Sequence, residues 1–535
     1  MSQTIDGGIP LPKRKWIAVC IAAVAFVFIR AAGPGPAAPT INLRRGALAR
    51  WNVVVITLDA TSARRIGAYS PLHRTMPFFD DLARHGVVYE HAYTTVGETG
   101  PSHATIFSSV GAATHGVSHN GEQLDDAAPW LPALLHDHGY YTAASSIAFF
   151  LDKSRGFARG FDRFIGIPND AHGNPNAMTT NAAAADQASQ LFDGLASRGD
   201  KPFFCWIHLK GGHGPLAPIA PRYIQKFDRL LPAAELPPAL AHAMPGWNSD
   251  DAALLADTDK LTRWAHAYYD ANLAEADDAL KHIVDGFRTR GLAHKTLFII
   301  MGDHGETFDH GLFEEHGSSP WESTLRIPLI LYSESPRLTP ARVRDRLATT
   351  TDIAPTITDL LGVPSAAGFT GMSLLRVPRA TFDASSSGAL TYDKLLRKII
   401  GGKAVSQPPA ALKNDLGDLE RSGNFYWATM SLRSDGRLLK LIHYGRRSSA
   451  RNRPSFMKLF DVAHDPLENV DLLQSGAKMR TTAAALLDEA RKRDPLFGKV
   501  VTDIASGMMS ADPDAFTRGL SKEAIETLRS LGYLH

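Results

Sequence analysis

The sequence predicts an α/β fold with a mostly parallel sheet, and three observations predict it. Short runs of apolar, β-branched and aromatic residues recur along the chain. Each ends in a cluster of polar, ionisable residues, and segments with apolar positions at helical spacing separate them. Continuous apolar runs of this length read as strands buried on both faces, and in such sheets ligands gather at the carboxyl ends of strands.

In chain order, Lys13, Arg14 and Lys15 precede Trp16–Ile29, a stretch without charge, followed by Arg30 and the Pro/Gly/Ala-rich run Ala31–Pro39. A basic flank, an apolar stretch and a small-residue exit predict a signal peptide or a single membrane anchor over residues 1–32, with a linker over 33–50. The rest is then expected outside the cytoplasm, periplasmic or at the cell surface, anchored or secreted. Trp51–Leu58 is the first buried strand and ends at Asp59. Lys201–Leu209 is a second, ending in Lys210-Gly-Gly-His-Gly214, and Lys295–Met301 a third, ending in Gly302-Asp-His-Gly-Glu306. Met76–His85, Leu131–His138 and Tyr268–Arg290 carry apolar residues at helical spacing. Ala217–Thr258, rich in Pro, Ala and Asp, reads as an insertion or a cap over the site, and Arg379–Ser422 is weak in pattern. Beyond it, Tyr426–Tyr444 reads as strands joined at Ser434-Asp-Gly436, and Lys478–Arg493 and Ser521–Leu531 as helices. A catalytic domain over 51–378 and a smaller C-terminal α/β region over 379–535 follow.

Composition narrows the function. Among 535 residues, 44% are hydrophobic and 21% charged, which excludes disorder and a multi-span membrane protein. A net charge of +2 gives no reason to expect nucleic acid as a partner. Two cysteines, Cys20 and Cys205, exclude a disulfide framework and an all-cysteine zinc site. Chemistry must therefore come from Asp, His, Thr and Glu.

Asp303 and His304, adjacent at a strand end and flanked by glycines, suit a divalent ion that takes oxygen and nitrogen ligands, and equally suit a turn with a capping carboxylate. Asp59 stands just past another buried strand, where a carboxylate is costly unless a cation or donors satisfy it. Thr99, in Gly97-Glu-Thr-Gly-Pro-Ser-His103 ahead of the helix-like Ile106 onward, reads either as a helix cap or as a nucleophile with backbone N–H groups facing an oxyanion.

Asp59 after Asn52-Val-Val-Val-Ile-Thr-Leu58, Thr99-Gly-Pro-Ser-His103, His213 in Gly211-Gly-His-Gly-Pro215, and Gly302-Asp-His-Gly-Glu306 with Glu315-His-Gly317 stand in an order that resembles sulfatases and their relatives in the alkaline phosphatase superfamily. Gly156-Phe-Ala-Arg-Gly-Phe-Asp162, Trp321–Pro328, Thr351-Asp-Ile-Ala-Pro355 and Leu459-Phe-Asp461 with Asp465-Pro-Leu-Glu468 extend the likeness over about residues 51–475. The resemblance implies an alkaline-phosphatase-like sandwich with its large sheet flanked by helices. It implies Asp59, Thr99, Asp303 and His304 as ligands of one divalent ion, with Thr99 also the nucleophile. His213 and His316 match positions that hold substrate, act on the leaving group or bind a second ion, and His103 lies where the family binds substrate. Glu306, His208 and His310 are expected around these groups.

The departures from the family pattern are informative. Sulfatases carry Cys or Ser, oxidised to formylglycine, where this chain has Thr99; their Arg is His103, the second Asp of their Asp-Asp pair is Ala60, and a common Asn is His304. Thr with Asp-His resembles lipoteichoic acid synthases and phosphoethanolamine transferases, and Ile207–Pro215 resembles the latter, although Asp59 replaces the Glu they often use. The expected function is hydrolysis or transfer on a phosphate mono- or diester, the anionic substrate carried on a lipid or glycan headgroup. Sulfuric ester hydrolysis of the arylsulfatase type and non-catalytic anion binding are the alternatives. Two carboxylates, a hydroxyl and an imidazole suit Zn²⁺ or Mn²⁺ better than Ca²⁺.

Overall fold

The computed structural model describes residues 43–167, 180–214, 219–227, 258–308, 316–317, 321–376, 380–385, 425–445 and 456–493, all within one unit spanning Thr40–His535. The N-terminal basic and apolar segment, most of Ala217–Thr258 and the expected helix Ser521–Leu531 lie outside the described residues.

Nine strands of the catalytic part run β1 (Asn52–Leu58), β2 (Val87–Tyr89), β3 (Ala92–Tyr93), β4 (Tyr141–Ser145), β5 (Arg163–Ile165), β6 (Phe203–Leu209), β7 (Thr296–Gly302), β8 (Leu329–Tyr332) and β9 (Ala341–Val343). Eight of them form one sheet in the order β5-β4-β6-β1-β7-β8-β2-β9. The five strands from β5 to β7 are parallel neighbours, and β8 is antiparallel to both β7 and β2. The three predicted apolar strands are thus β6, β1 and β7, adjacent at the sheet centre and buried along their whole length.

Alternation along these strands divides the core in two. Val54, Ile56, Leu58, Cys205, Ile207, Phe298 and Ile300 pack on one side, against helices α1 (Pro77–Arg84), α4 (Asn181–Ser189) and α5 (Thr258–Thr289). Val53, Val55, Phe204, Trp206, Leu297, Ile299 and Met301 pack on the other, with α2 (Thr99–Ser108), α3 (Leu131–Asp137) and α6 (Ile353–Leu361). Phe107 of α2 meets Trp130, Phe204 and Trp206 edge-on at ring separations of 5.5, 6.2 and 5.0 Å. Continuing the period of two past the strand ends sends Thr57, Asp59 and Asp303 to the α2 face, and Thr57 pairs in register with His208 of β6.

Two expectations need correction. Helix α2 begins at Thr99 and not near Ile106. Pro101 falls in its first turn, where a missing N–H costs nothing. The described part of the expected cap, the helix Pro221–Phe227, packs into the core instead: Tyr223 and Ile224 are buried beside α5, and the Tyr223 hydroxyl donates to Asp278 at 2.8 Å.

The C-terminal strands β11 (Thr381–Ser385), β12 (Phe425–Leu432), β13 (Leu438–Gly445) and β14 (Phe456–Asp461) form an antiparallel sheet in chain order, preceded by the two-residue β10 (Ala348–Thr349) that pairs with β3. Helix α7 (Ala477–Arg493) follows as expected. One face of this sheet shares a core with Tyr93, Leu325 and Leu347 of the catalytic part. Buried Lys440 of β13 reaches Glu322 at 3.3 Å and Glu468 at 2.7 Å, and the Tyr93 hydroxyl donates to Glu322 at 3.0 Å.

Candidate active site

Asp59 leaves the end of β1 through a strained turn. Ala60 adopts φ 47°, a left-handed conformation that costs a non-glycine residue about 1 kcal/mol or more. Three bonds hold it: its N–H donates to Asp303 Oδ1 (3.1 Å), its carbonyl accepts from Tyr269 (2.7 Å), and the same tyrosine oxygen accepts from the Ser62 N–H (2.9 Å). Gly211, φ 58°, crosses so closely that a Cβ there would lie 2.2 Å from the Asp59 carbonyl oxygen. The loop after β6 is pinned by Asn181, which donates to and accepts from Gly211, and by buried Lys210, whose ammonium donates to the His213 carbonyl (2.6 Å) and Asn272 (2.8 Å).

These loops bring together residues that stand up to about 240 positions apart. The Thr99 hydroxyl lies 3.2 Å from Asp59 Oδ1 and 3.1 Å from His304 Nε2. His304 Nε2 lies 3.5 Å from Asp59 Oδ1 and 3.7 Å from Asp303 Oδ2. All four side chains are fully buried. Thr99 does not cap its helix: it occupies the first helical position, Glu98 holds the cap position, and neither makes a side-chain cap bond. Nor does the helix start offer a row of open N–H groups, because Gly100 N–H donates to Asn120 at 2.6 Å and Pro101 has none.

Burial alone would raise the Asp59 carboxyl, but the imidazoles of His213, His208 and His304 outweigh it and hold the group below the usual carboxylate range. Burial, and then the Asp59 charge, push Asp303 well above that range. Two buried carboxylates so close cannot both be anionic without a cation. His304 is pushed down to about 4, chiefly by burial, and is neutral. Its Nδ1 faces the Gly305 carbonyl at 2.9 Å, an acceptor only, so the ring hydrogen sits there and Nε2 presents its lone pair to the cluster.

The donor set fits a divalent ion. A tetrahedral ion with ligands at about 2.0–2.1 Å spaces its donors about 3.3–3.4 Å apart, within the range measured between Thr99, Asp59, His304 and Asp303. Asp59 Oδ2 and Asp303 Oδ2 are buried without a hydrogen-bond partner among the described residues. Asp59, Asp303 and His304 are one of two groups there whose ligand atoms lie within 4.8 Å of one another; His103, His208 and Asp303 are the other.

His213 and His316 flank the same spot. Their rings lie 5.1 Å apart, and His316 stacks on His304 at 4.7 Å. His213 donates from Nδ1 to the Gly214 carbonyl (2.6 Å), and His316 from Nδ1 to Glu306 (3.0 Å), so each turns Nε2 outward from its fixed hydrogen. Burial lowers the His213 pKa. His103 departs from the substrate-binding expectation. It is fully buried beneath Thr99, held by the Thr99 carbonyl and by Thr57 at 2.8 Å each, so it has no open edge for an ester. His310 lies outside the described residues.

Sequence reasoning missed Thr57, Asn120, Trp206 and Tyr269. Thr57 alone carried a signal, being two residues before Asp59 and hence on its face of the sheet.

The sequence profile of the family described as Sulfatase matches residues 51–363. The chain is 23% identical over 370 residues to arylsulfatase K of Xenopus laevis, covering 64% of this chain and 68% of that protein. It is 24% identical over 401 residues to the multifunctional alkaline phosphatase superfamily protein PehA of Trinickia caryophylli, covering 61% and 77%. The crystal structure of the phosphonate monoester hydrolase of Agrobacterium radiobacter shares the fold with a TM-score of 0.58 at 18% identity, over 84% of this chain and 96% of that one.

Proposed function

Because the chain belongs to the sulfatase family of the alkaline phosphatase superfamily, we propose that it is a metal-dependent enzyme that attacks phosphate mono- or diesters with Thr99. The observation that carries this reading is the Thr99 hydroxyl held within 3.2 Å of both Asp59 and His304 and making no helix cap. A divalent ion held by Asp59, Thr99, Asp303 and His304 supplies charge for the ester oxygens and lowers the pKa of the hydroxyl. Zn²⁺ or Mn²⁺ suits a set that includes an imidazole.

The residues of the chain divide the work. Thr99 Oγ1 loses its proton to solvent water as it attacks, displaces the alcohol and becomes esterified, which splits one displacement into two. Glu306 accepts the His316 Nδ1 hydrogen and fixes the ring, so His316 gives a proton from Nε2 to the departing alkoxide and then takes one from the water or acceptor alcohol that releases Thr99. His213 lines the leaving side beside it and shares that exchange. The basic and apolar N-terminal segment supports export and a lipid or glycan headgroup as the substrate's organic part. Among the described residues no helix is long and apolar enough to cross a membrane.

Sulfuric ester hydrolysis is the second reading, favoured by the likeness to arylsulfatase K. Purified protein loaded with Zn²⁺ or Mn²⁺ and assayed on paired aryl phosphate, phosphodiester and sulfate esters decides between them. Phosphoester turnover that disappears in Thr99→Ala is the expected result. Sulfate preference would replace this reading with the second, and turnover that survives in Thr99→Ala would remove the nucleophile.

A further inference from the structure

His103, His208 and Asp303 have the composition and spacing of a second cation site. The placement of hydrogens decides otherwise. His103 Nδ1 lies 2.8 Å from the Thr99 carbonyl oxygen, which can only accept, so Nδ1 carries a hydrogen and offers no lone pair to an ion. His103 Nε2 lies 2.8 Å from the Thr57 hydroxyl. The Thr57 oxygen accepts from the Trp206 indole N–H at 3.1 Å, and its own hydrogen is available for Nε2. Trp206, Thr57, His103 and the Thr99 carbonyl therefore form one chain of donors and acceptors with a single sense. The ring packs against Trp206, tilted, at 5.2 Å and edge-on against His208 at 4.8 Å. From this position the His103 N–H also faces Asp303 Oδ2 at 3.6 Å, while His208 Nε2 faces Asp59 Oδ2 at 3.3 Å.

Resting on the reading of Thr99 as nucleophile and of the two aspartates as ion ligands, we propose that Thr57 is a positioning residue whose hydroxyl sets the His103 tautomer, so that the imidazole N–H holds the backbone carbonyl of the nucleophile and the ring edge stays packed behind Asp303. The cluster is a brace behind the ion's ligands and takes no ion itself. Groups that orient a metal's ligands from behind are worth about tenfold to a hundredfold in metal affinity or activity.

The test uses the full-length protein as wild type, Thr57→Val, Thr57→Ser, His208→Ala and Thr99→Ala, with melting temperature followed throughout. Thr57→Val removes the hydroxyl at nearly constant volume, and Thr57→Ser keeps it. The expected result is a fall of about tenfold to a hundredfold in Zn²⁺ affinity, measured by chelator competition, and in kcat for Thr57→Val with KM unchanged, with both restored in Thr57→Ser. Equal behaviour of the Val and Ser variants, or a Val variant matching wild type, overturns the proposal. So does a second bound Zn²⁺ in wild type that is lost in His208→Ala. Turnover persisting in Thr99→Ala defeats the nucleophile assignment instead, and an inactive Thr99→Ala beside an unaffected Thr57→Val defeats the brace alone.

Discussion

Binding of a divalent ion to the stripped protein at neutral pH should expel one proton, and that proton should come from Asp303. Without the ion, burial and the Asp59 charge keep Asp303 protonated well above the ordinary carboxylate range, Asp59 is ionised, and His304, at about 4, is already neutral. An ion held by these three and by the Thr99 hydroxyl takes both carboxylates as anions, the imidazole by its lone pair and the hydroxyl as the intact alcohol. His304 thus contributes no proton at pH 7, and Asp303 contributes one. Each pH unit below the folded Asp303 pKa weakens apparent binding tenfold, about 1.4 kcal/mol. The sign for stability follows from the same linkage. The raised Asp303 makes the folded chain keep a proton that the unfolded chain has released. The ion-free protein therefore loses up to about 1.4 kcal/mol per pH unit as pH rises from the unfolded carboxylate pKa toward the folded one. Ion-bound protein escapes that slope, so the gap between the two melting temperatures widens with pH. Calorimetric titration of Zn²⁺ into chelator-stripped protein, in two buffers of different ionisation enthalpy at pH 7, counts the protons. Asp303→Asn controls for protons lost from water. Zero protons released in wild type, with affinity flat from pH 6.5 to 8, would refute the shared burial of the two carboxylates.

Other perturbations reach the same architecture from different sides. Thr99→Ser should retain measurable ester turnover, since a hydroxyl survives beside Asp59 and His304, whereas Thr99→Ala should not; burst kinetics on an aryl phosphate compares them. Gly211→Ala should weaken ion binding without unfolding the sheet, because the added Cβ meets the Asp59 carbonyl at 2.2 Å, and equilibrium dialysis reads the loss. Lys440→Met leaves Glu322 and Glu468 buried without their cation and should cost about 3–5 kcal/mol in thermal unfolding. Adding Glu468→Gln should recover part of that, since burial already raises Glu468 to about 7. Phe107→Ala, at the centre of three other rings, should cost about 3–5 kcal/mol by the same measurement.

The site is a product of strand parity as much as of loop design. Asp59 and Asp303 end on the α2 face because they continue the alternation of Val53-Val55-Thr57 and of Leu297-Ile299-Met301, and helix α2 lays Thr99 and His103 across that face. Replacement of an arginine by His103 in this family position brings a shorter, neutral side chain into a fully buried space. The wedge of Trp206, His208 and Thr57 fills what remains.

By itself the sequence determined the α/β class, the three central strands and the order of the motif residues, because continuous apolar runs and ionisable strand ends are local signals; the grouping of Asp59, Thr99, Asp303 and His304 was implied only by the family resemblance. It also placed the hairpin at Ser434–Gly436 and the helix ending at Arg493. Only the tertiary structure decided where α2 starts, since a proline in a first turn looks like a loop until its neighbours are known. Only it showed His103 turned inward, with its hydrogens allotted by Thr57 and Trp206, and Lys440 binding two glutamates from separate parts of the chain. Those outcomes depend on which buried donor finds which acceptor across tens to more than a hundred residues, and spacing along a chain holds no information about that pairing.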